Sequence, residues 1–255
     1  MSKITFLGTG TSHGVPMIGC DCMTCRSSDP RDKRLRPSIY VELPGGTAIL
    51  VDAGPDLRQQ ALTCDIRRVD AILFTHAHAD HILGLDETRR FTAIGRRPMD
   101  CYGSAAALDD IRKTFSYVFD PATPAGGGLP NLNLIPIEGT LSIDGHEIVP
   151  VPVFHGPREI LGFRFGSFAY LTDCSRIPDG SWAMLHNLEV VVLDALRERP
   201  HPTHFSLAEA IEAARRIAAQ RTFFTHMCHD LAHELTNARL PKGMELAYDG
   251  LTLEL

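Results

Sequence analysis

The residues ILFTHAHADHILGL run from Ile72 to Leu85. An apolar lead-in, residues 71–74, reads as a short buried strand. A helical pattern resumes near Ile82. The motif H-x-H-x-D-H, carried by His76, His78, Asp80 and His81, therefore falls on the turn between strand and helix. That is the C-terminal end of the strand, where open α/β sheets place their ligands. Neutral imidazole suits Zn, Fe or Mn, and carboxylate suits the harder of these ions. A tight turn can aim His76 and His78 at one ion and Asp80 and His81 at a neighbour. An ordinary solvated turn has no need of three histidines and an aspartate packed behind a buried strand.

Outward from this stretch, the chain reads as strands with shorter helices between them. Residues 3–7 are apolar and β-prone. They lead into GTGTSHG (residues 8–14), a glycine-rich turn that does not meet the phosphate-loop pattern. Residues 39–43 and 47–52 form a hairpin joined by Pro44-Gly45-Gly46, and a short helix follows with Pro55 near its first position. Residues 86–94 are expected to be helical, 98–102 a strand, and a helix capped by Ser104 to reach about Tyr117. Residues 120–130, DPATPAGGGLP, read as a mobile surface loop near the site. Strands are expected over 132–137, 141–143 and 148–154, then a hairpin over 163–165 and 168–172, then strands over 190–193 and 222–225. Residues 206–219 make an amphipathic helix with a Ser206/Glu209 capping box. Two short strands close the chain.

His76, His155, Asp173 and His226 each follow one of these apolar β-runs directly. A histidine after a strand is ordinarily a capped or core residue. Several at corresponding strand ends, beside the H-x-H-x-D-H turn, describe one site on one sheet edge.

Composition limits the remaining choices. The chain has 255 residues, of which 44 % are hydrophobic, enough for one large domain; a single domain over 1–255 is expected. The net charge of −6 argues against holding long nucleic acid by charge alone. No run has the ~20 apolar residues of a membrane span, and MSKITFLGTG lacks a signal-peptide pattern. A cytoplasmic location with no membrane partner is expected. Of seven cysteines, three cluster as Cys20-x-Cys22-x-x-Cys25. Three thiolates and one imidazole make a closed tetrahedral zinc site. His229 is the favoured fourth ligand, with His233 and Cys228 as alternatives.

In these motifs the chain resembles the metallo-β-lactamase superfamily of dinuclear hydrolases, matching at Asp52, at His76, His78, Asp80 and His81, and at His155, Asp173 and His226 in order. The resemblance implies an α/β fold, a four-layer αββα sandwich. It gives one ion to His76, His78 and His155, the other to Asp80, His81 and His226, and makes Asp173 their bridge. Asp52 then orients a ligand histidine. The ions implied are Zn or Mn, or else Fe or Ni. The histidine at the third motif and the aspartate at the fourth fit phosphodiesterase-like members, including the tRNase Z group.

The cysteine cluster and the opening GTG…GVP…GCDC resemble the phosphoribosyl 1,2-cyclic phosphodiesterases of the carbon–phosphorus lyase pathway, which hold a structural Zn in this way. By the same likeness His204 touches the phosphate and helps the leaving group. His201, between two prolines, reads as a solvated loop residue, and His13, His146, His186 and His233 as structural or surface. The activity implied is metal-dependent hydrolysis of a small, cyclic phosphodiester, such as a phosphoribosyl cyclic phosphate or a cyclic nucleotide, by a hydroxide bridging the ions, with His204 and Asp80 as the catalytic side chains. The rivals are tRNA 3′-end processing, lactonase or thioesterase chemistry, and a non-catalytic relative in cofactor biosynthesis. A homodimer is the expected assembly if the chain oligomerises.

Overall fold

A computed structural model describes the whole chain except Ala125 and Gly127. Its strands form two seven-stranded sheets. The first holds β1 (Lys3–Gly8), β2 (Ser38–Glu42), β3 (Ala48–Val51), β4 (Ala71–Leu73), β5 (Met99–Gly103), β6 (Leu132–Pro136) and β14 (Thr252–Glu254), in the order β14-β1-β2-β3-β4-β5-β6. The second holds β7 (Leu141–Ile143), β8 (His146–His155), β9 (Arg158–Phe165), β10 (Phe168–Leu171), β11 (Val190–Asp194), β12 (Arg221–Thr225) and β13 (Met244–Leu246), in the order β13-β12-β11-β10-β9-β8-β7. In each sheet, strands β3 to β6 and β10 to β13 run parallel while the others are antiparallel.

Side-chain alternation along the central strands sorts the core into three layers. Ile39, Val41, Ile49, Val51 and Leu73 from the first sheet meet Phe163, Tyr170, Val192 and Phe223 from the second. The intervening residues face outward. Tyr40, Leu50 and Ile72 pack with Leu57, Phe91 and Ile111 of helices α1 (Leu57–Thr63), α3 (Arg89–Gly95) and α4 (Ala105–Thr114). Val191, Leu193 and Phe224 pack under Leu207, Ala210, Ala214 and Ile217 of α7 (Leu207–Ile217). Strands buried on both faces read as continuous apolar runs, and the result is the four-layer αββα sandwich expected. The Ser206/Glu209 capping box of α7 is present.

Several boundaries differ from the sequence expectation. The helix after the His-rich turn, α2 (Ala79–Ile82), begins early enough to include Asp80 and His81. Pro55 precedes the cap Asp56 of α1 rather than opening the helix. The helix expected to reach Tyr117 breaks at Phe115, between α4 and α5 (Ser116–Phe119). Strand β9 starts at Arg158, paired with His155 across Gly156-Pro157; its alternation was obscured by Gly162. Two short helices, α6 (Asp179–Trp182) and α8 (His233–Asn237), carry no clear periodic signal. Of the loop expected over 120–130, two residues lie outside the described ones. Gly128 and Leu129 line a hollow with Arg89, Arg96 and Arg97 and do not border the strand-end histidines. No described helix is long and apolar enough to cross a membrane.

One backbone junction sets the position of the His-rich turn. Ala53 N–H donates to the His81 carbonyl at 2.7 Å and Gly84 N–H to the Ala53 carbonyl at 2.8 Å. A Cβ on Gly84 would collide with the Gly54 carbonyl oxygen, and one on Gly54 with that of Asp80. The close approach is available only to glycine. Gly84→Ala is therefore expected to lower unfolding free energy by about 1–3 kcal/mol, measured by urea denaturation; wild-type stability would show that the junction relaxes without cost.

Candidate metal centre

The first sheet delivers Asp52 at the end of β3 and His76, His78, Asp80 and His81 after β4. The second delivers His155 at the end of β8, Asp173 after β10 and His226 after β12. Leu161 N–H donates to the Thr75 carbonyl at 3.1 Å, so the two sheets are tied together at this edge. Asp52, Asp173 and His226 have φ of 63°, 54° and 60°. Left-handed backbone is uncommon outside glycine and collects at functional sites, where the surrounding structure holds it.

Two ligand sets result. Ring nitrogens of His76, His78 and His155 lie within 4.8 Å of one another, as do ligand atoms of Asp80, His81, Asp173 and His226. Asp173 lies between the sets. Its Oδ1 is 3.2 Å from His226 Nε2 and 4.0 Å from His76 Nε2, and its Oδ2 is 3.1 Å from His81 Nε2. Asp80 Oδ2 is 3.5 Å from His81 Nε2 and 3.6 Å from His226 Nε2.

The far side of each ring is held. His81 Nδ1–H donates to Asp52 Oδ2 at 2.7 Å. His76 Nδ1 meets Thr75 Oγ1 at 3.0 Å, and that hydroxyl donates to Asp52 at 2.8 Å. His155 Nδ1–H donates to the Asp173 carbonyl at 3.0 Å. These contacts present Nε2 to the centre, the orientation that metal-ligating histidines receive from their neighbours. Asp52 thus stands behind His81, on the side away from the cluster.

The Nε2 atoms of His76, His81 and His226 are buried without a hydrogen-bond partner. Buried polar atoms are ordinarily satisfied, and convergent orphaned imidazole nitrogens beside two carboxylates fit a divalent cation. Burial holds His76, His78 and His155 below the usual imidazole range, in the neutral form that can ligate. Burial also works against a charged His81, but the charges of Asp173, Asp52 and Asp80 outweigh it and raise that ring well above its usual range.

The cysteine cluster is a second ligand set. His229 Nδ1 lies 3.2, 3.5 and 3.5 Å from the Sγ atoms of Cys20, Cys22 and Cys25. A tetrahedral Zn with the usual bond lengths separates sulfur from nitrogen by about 3.5 Å, so these residues fit the ion. The Cys25 amide donates to Cys22 Sγ and lowers that thiol's pKa. Of the alternative fourth ligands, Cys228 and His233 both lie outside the cluster. All seven cysteines are free thiols.

His204 is buried beside the first centre, its ring 4.6 Å from that of His155 and 4.7 Å from that of His226. Its Nδ1 meets Asp194 Oδ2 at 3.0 Å. Asp194, the last residue of β11, is fully buried, and its Oδ1 lies 3.7 Å from His226 Nδ1. Sequence reasoning gave Asp194 no role. The signal was nonetheless present, because Asp194 ends a buried strand as His155, Asp173 and His226 follow theirs. His201 lies in a loop at intermediate exposure, its ring 5.2 Å from that of His204. His13 and His186 are exposed, His146 Nε2–H donates to the Pro44 carbonyl at 2.8 Å, and His233 is buried against Asn237.

A family model of the β-lactamase superfamily domain matches residues 47–227, which include every ligand of the first centre. The chain belongs to the metallo-β-lactamase superfamily. Its likeness to a solved diphosphatase of the PhnP family covers 99 % of this chain and 96 % of that one, with 46 % identity and a TM-score of 0.92. Zinc-bound PqqB from Methylobacterium extorquens shares the fold, with a TM-score of 0.80 and 20 % identity over 99 % of this chain and 100 % of that one. An octanoyltransferase of Porphyromonas gingivalis (strain ATCC BAA-308 / W83) is 36 % identical over 98 % of this chain, which spans only 51 % of that protein.

Within this superfamily of metal-dependent hydrolases, the cysteine set here is separate from the strand-end centre and closed by its own histidine. A closed Cys/His zinc contributes folding energy directly. Cys22→Ser is expected to lose one equivalent of tightly bound metal and to melt below wild type. Metal analysis with thermal denaturation checks both, and a variant that melts like wild type but is inactive would assign the cluster to catalysis instead.

Proposed function

We propose that this chain is a dinuclear metal-dependent phosphodiesterase that opens a small, cyclic phosphodiester. The observation that carries this reading is the position of Asp173 between two ligand sets, with the His204–Asp194 pair alongside. Residues His76, His78 and His155 would hold one ion, and Asp80, His81 and His226 the other, with Asp173 serving both. Such an ion pair, Zn or Mn among the candidates, supplies positive charge for both the attacking and the leaving oxygens of an in-line displacement. The PhnP-family diphosphatase supports phosphorus as the reacting atom, and a structural Zn at Cys20, Cys22, Cys25 and His229 completes the metal complement.

The chain's own residues do the rest. Asp52 and the Asp173 carbonyl fix which nitrogen the ligand histidines present. His204 supplies the proton. Its Nδ1 is engaged by Asp194, so Nε2 is the nitrogen free to act. With one proton on Asp194 Oδ2 or on His204 Nδ1, the pair carries a second on Nε2–H. Passing that proton to the departing alkoxide leaves the Asp194 carboxylate accepting from Nδ1–H, a stable ending for the pair. The net charge of −6 disfavours a long polyanion as substrate.

His204→Ala should keep the fold and both strand-end ions yet lower turnover by about a hundredfold or more on a ribose cyclic phosphate, the scale of a positioned proton donor. The loss should be much smaller on bis-p-nitrophenyl phosphate, whose nitrophenolate leaves without a proton. Steady-state rates on the two substrates, with metal content checked, test this. Equal losses would make His204 a phosphate-binding group, and no loss would remove it from the reaction.

A further inference from the structure

Between α7 and residues 175–182 lies an open groove of about 540 Å³. Ile177, Trp182, Phe205, Ala208 and Ala213 give it an apolar lining, and none of the residues around it belongs to the strand-end centre or to the cysteine cluster. Ile177, Phe205 and Ala213 are buried in the core beneath α7, which fixes the floor. The wall is held too: Phe205 N–H donates to the Cys174 carbonyl at 2.7 Å, and Ser175 Oγ–H to the Phe154 carbonyl at 2.9 Å. A groove of this volume is in the range that small ligands fill. Ten residues line it, whereas a stable protein interface takes about 20–30 a side.

Two arginines complete the lining. The Arg216 guanidinium lies over the Trp182 ring and that of Arg176 over the Phe154 ring, each with Cζ 3.8 Å from the ring centroid. The acids of the groove are engaged elsewhere. Glu209 accepts from Ser206 in the α7 capping box, and Glu212 pairs with Arg215, so among the described residues neither Arg176 nor Arg216 has a carboxylate within ion-pair distance. Stacking holds a guanidinium by its face and leaves its N–H edge free, a preorganised fork for a carboxylate. An apolar trough that also carries two such cations suits an amphiphile with a hydrocarbon body and a negative head.

We propose that this groove binds a medium-chain aliphatic carboxylate, its hydrocarbon chain against Trp182, Phe205 and Ala208 and its carboxylate held by the stacked arginines. The site is separate from the metal centre and does not depend on the phosphodiesterase reading. Phe205 follows His204 in the chain, so an occupant rests against the segment that carries the proposed proton donor.

The chain has one tryptophan, Trp182, so its fluorescence reports on the groove directly. Titration of wild type with decanoate, repeated by calorimetry, is expected to give saturable binding with Kd below about 1 mM. Decyltrimethylammonium, with the same chain and the opposite charge, should bind about tenfold or more weakly, the scale of one charge-assisted contact. Replacing both arginines, Arg176→Met together with Arg216→Met, should erase that preference. Ala208→Phe, at an exposed helix position, should fill the groove and abolish binding, with thermal melting verifying the fold. No saturable binding in wild type, equal affinity for the two amphiphiles, or decanoate binding unaltered in folded Ala208→Phe overturns the site. So does a concentration-dependent dimer in ultracentrifugation that folded Ala208→Phe disperses, because a second copy of the chain would then be the occupant.

Discussion

A buried carboxylate on a left-handed backbone is the constraint on which this molecule turns. Asp173 stands after β10 at φ 54° and is almost wholly excluded from solvent. Imidazoles from β4 and β12 approach it from both sheets. An isolated buried charge is costly, and burial alone would raise Asp173; the neighbouring His226 and His81 reverse that and hold it well below the usual carboxylate range. The arrangement needs both sheets to end at one edge. The Leu161–Thr75 backbone bond and the Gly54–Gly84 junction supply that registration, which is why glycines distant from the chemistry are part of the site.

A second level of organisation lies behind the ligands. Asp52, Thr75, the Asp173 carbonyl and Asp194 each engage the Nδ1 side of a ring, so the imidazoles of His81, His76, His155 and His204 all turn Nε2 inward. Asp194 is distinctive because it reaches towards both His204 and His226. It couples a strand-end ligand to the proposed proton donor through one fully buried carboxylate, which burial raises well above its usual pKa. On the other side, Arg34 is buried and donates to the Cys228 and Leu231 carbonyls at 3.0 and 2.5 Å. The segment carrying His229 is thereby anchored next to a cavity whose lining includes that residue.

Much of this could be read from the sequence because strand ends are local signals. An apolar run followed at once by His or Asp announces a ligand at a sheet edge, and His76, His155, Asp173 and His226 were legible in that way. Asp194, the last residue of β11, fits the same rule but shows no task in the sequence, since a carboxylate that holds a neighbouring ring is defined by a partner ten residues away in a loop. That the ring of His201 stands beside that of His204 depends on how the 195–206 segment folds onto the centre, which the flanking prolines do not reveal. The start of β9 was hidden by Gly162, where a Cβ would meet the Tyr170 carbonyl at 2.8 Å, a tertiary contact with no sequence periodicity. The close packing of α2 against the β3–α1 turn likewise depends on backbone approach, which residue type alone does not reveal.

The proposed dinuclear reading rests on Asp173 serving both ion sites. The most direct measurement is the metal stoichiometry of purified wild type and Asp173→Ala, by mass spectrometry of the elements after removal of loosely bound ions. Folding is monitored in parallel, and Cys22→Ser serves to separate the cysteine site from the strand-end centre. The account predicts that folded Asp173→Ala holds at least one ion fewer per chain than wild type, with the cysteine-bound ion retained. Full occupancy of the strand-end centre in Asp173→Ala would contradict it.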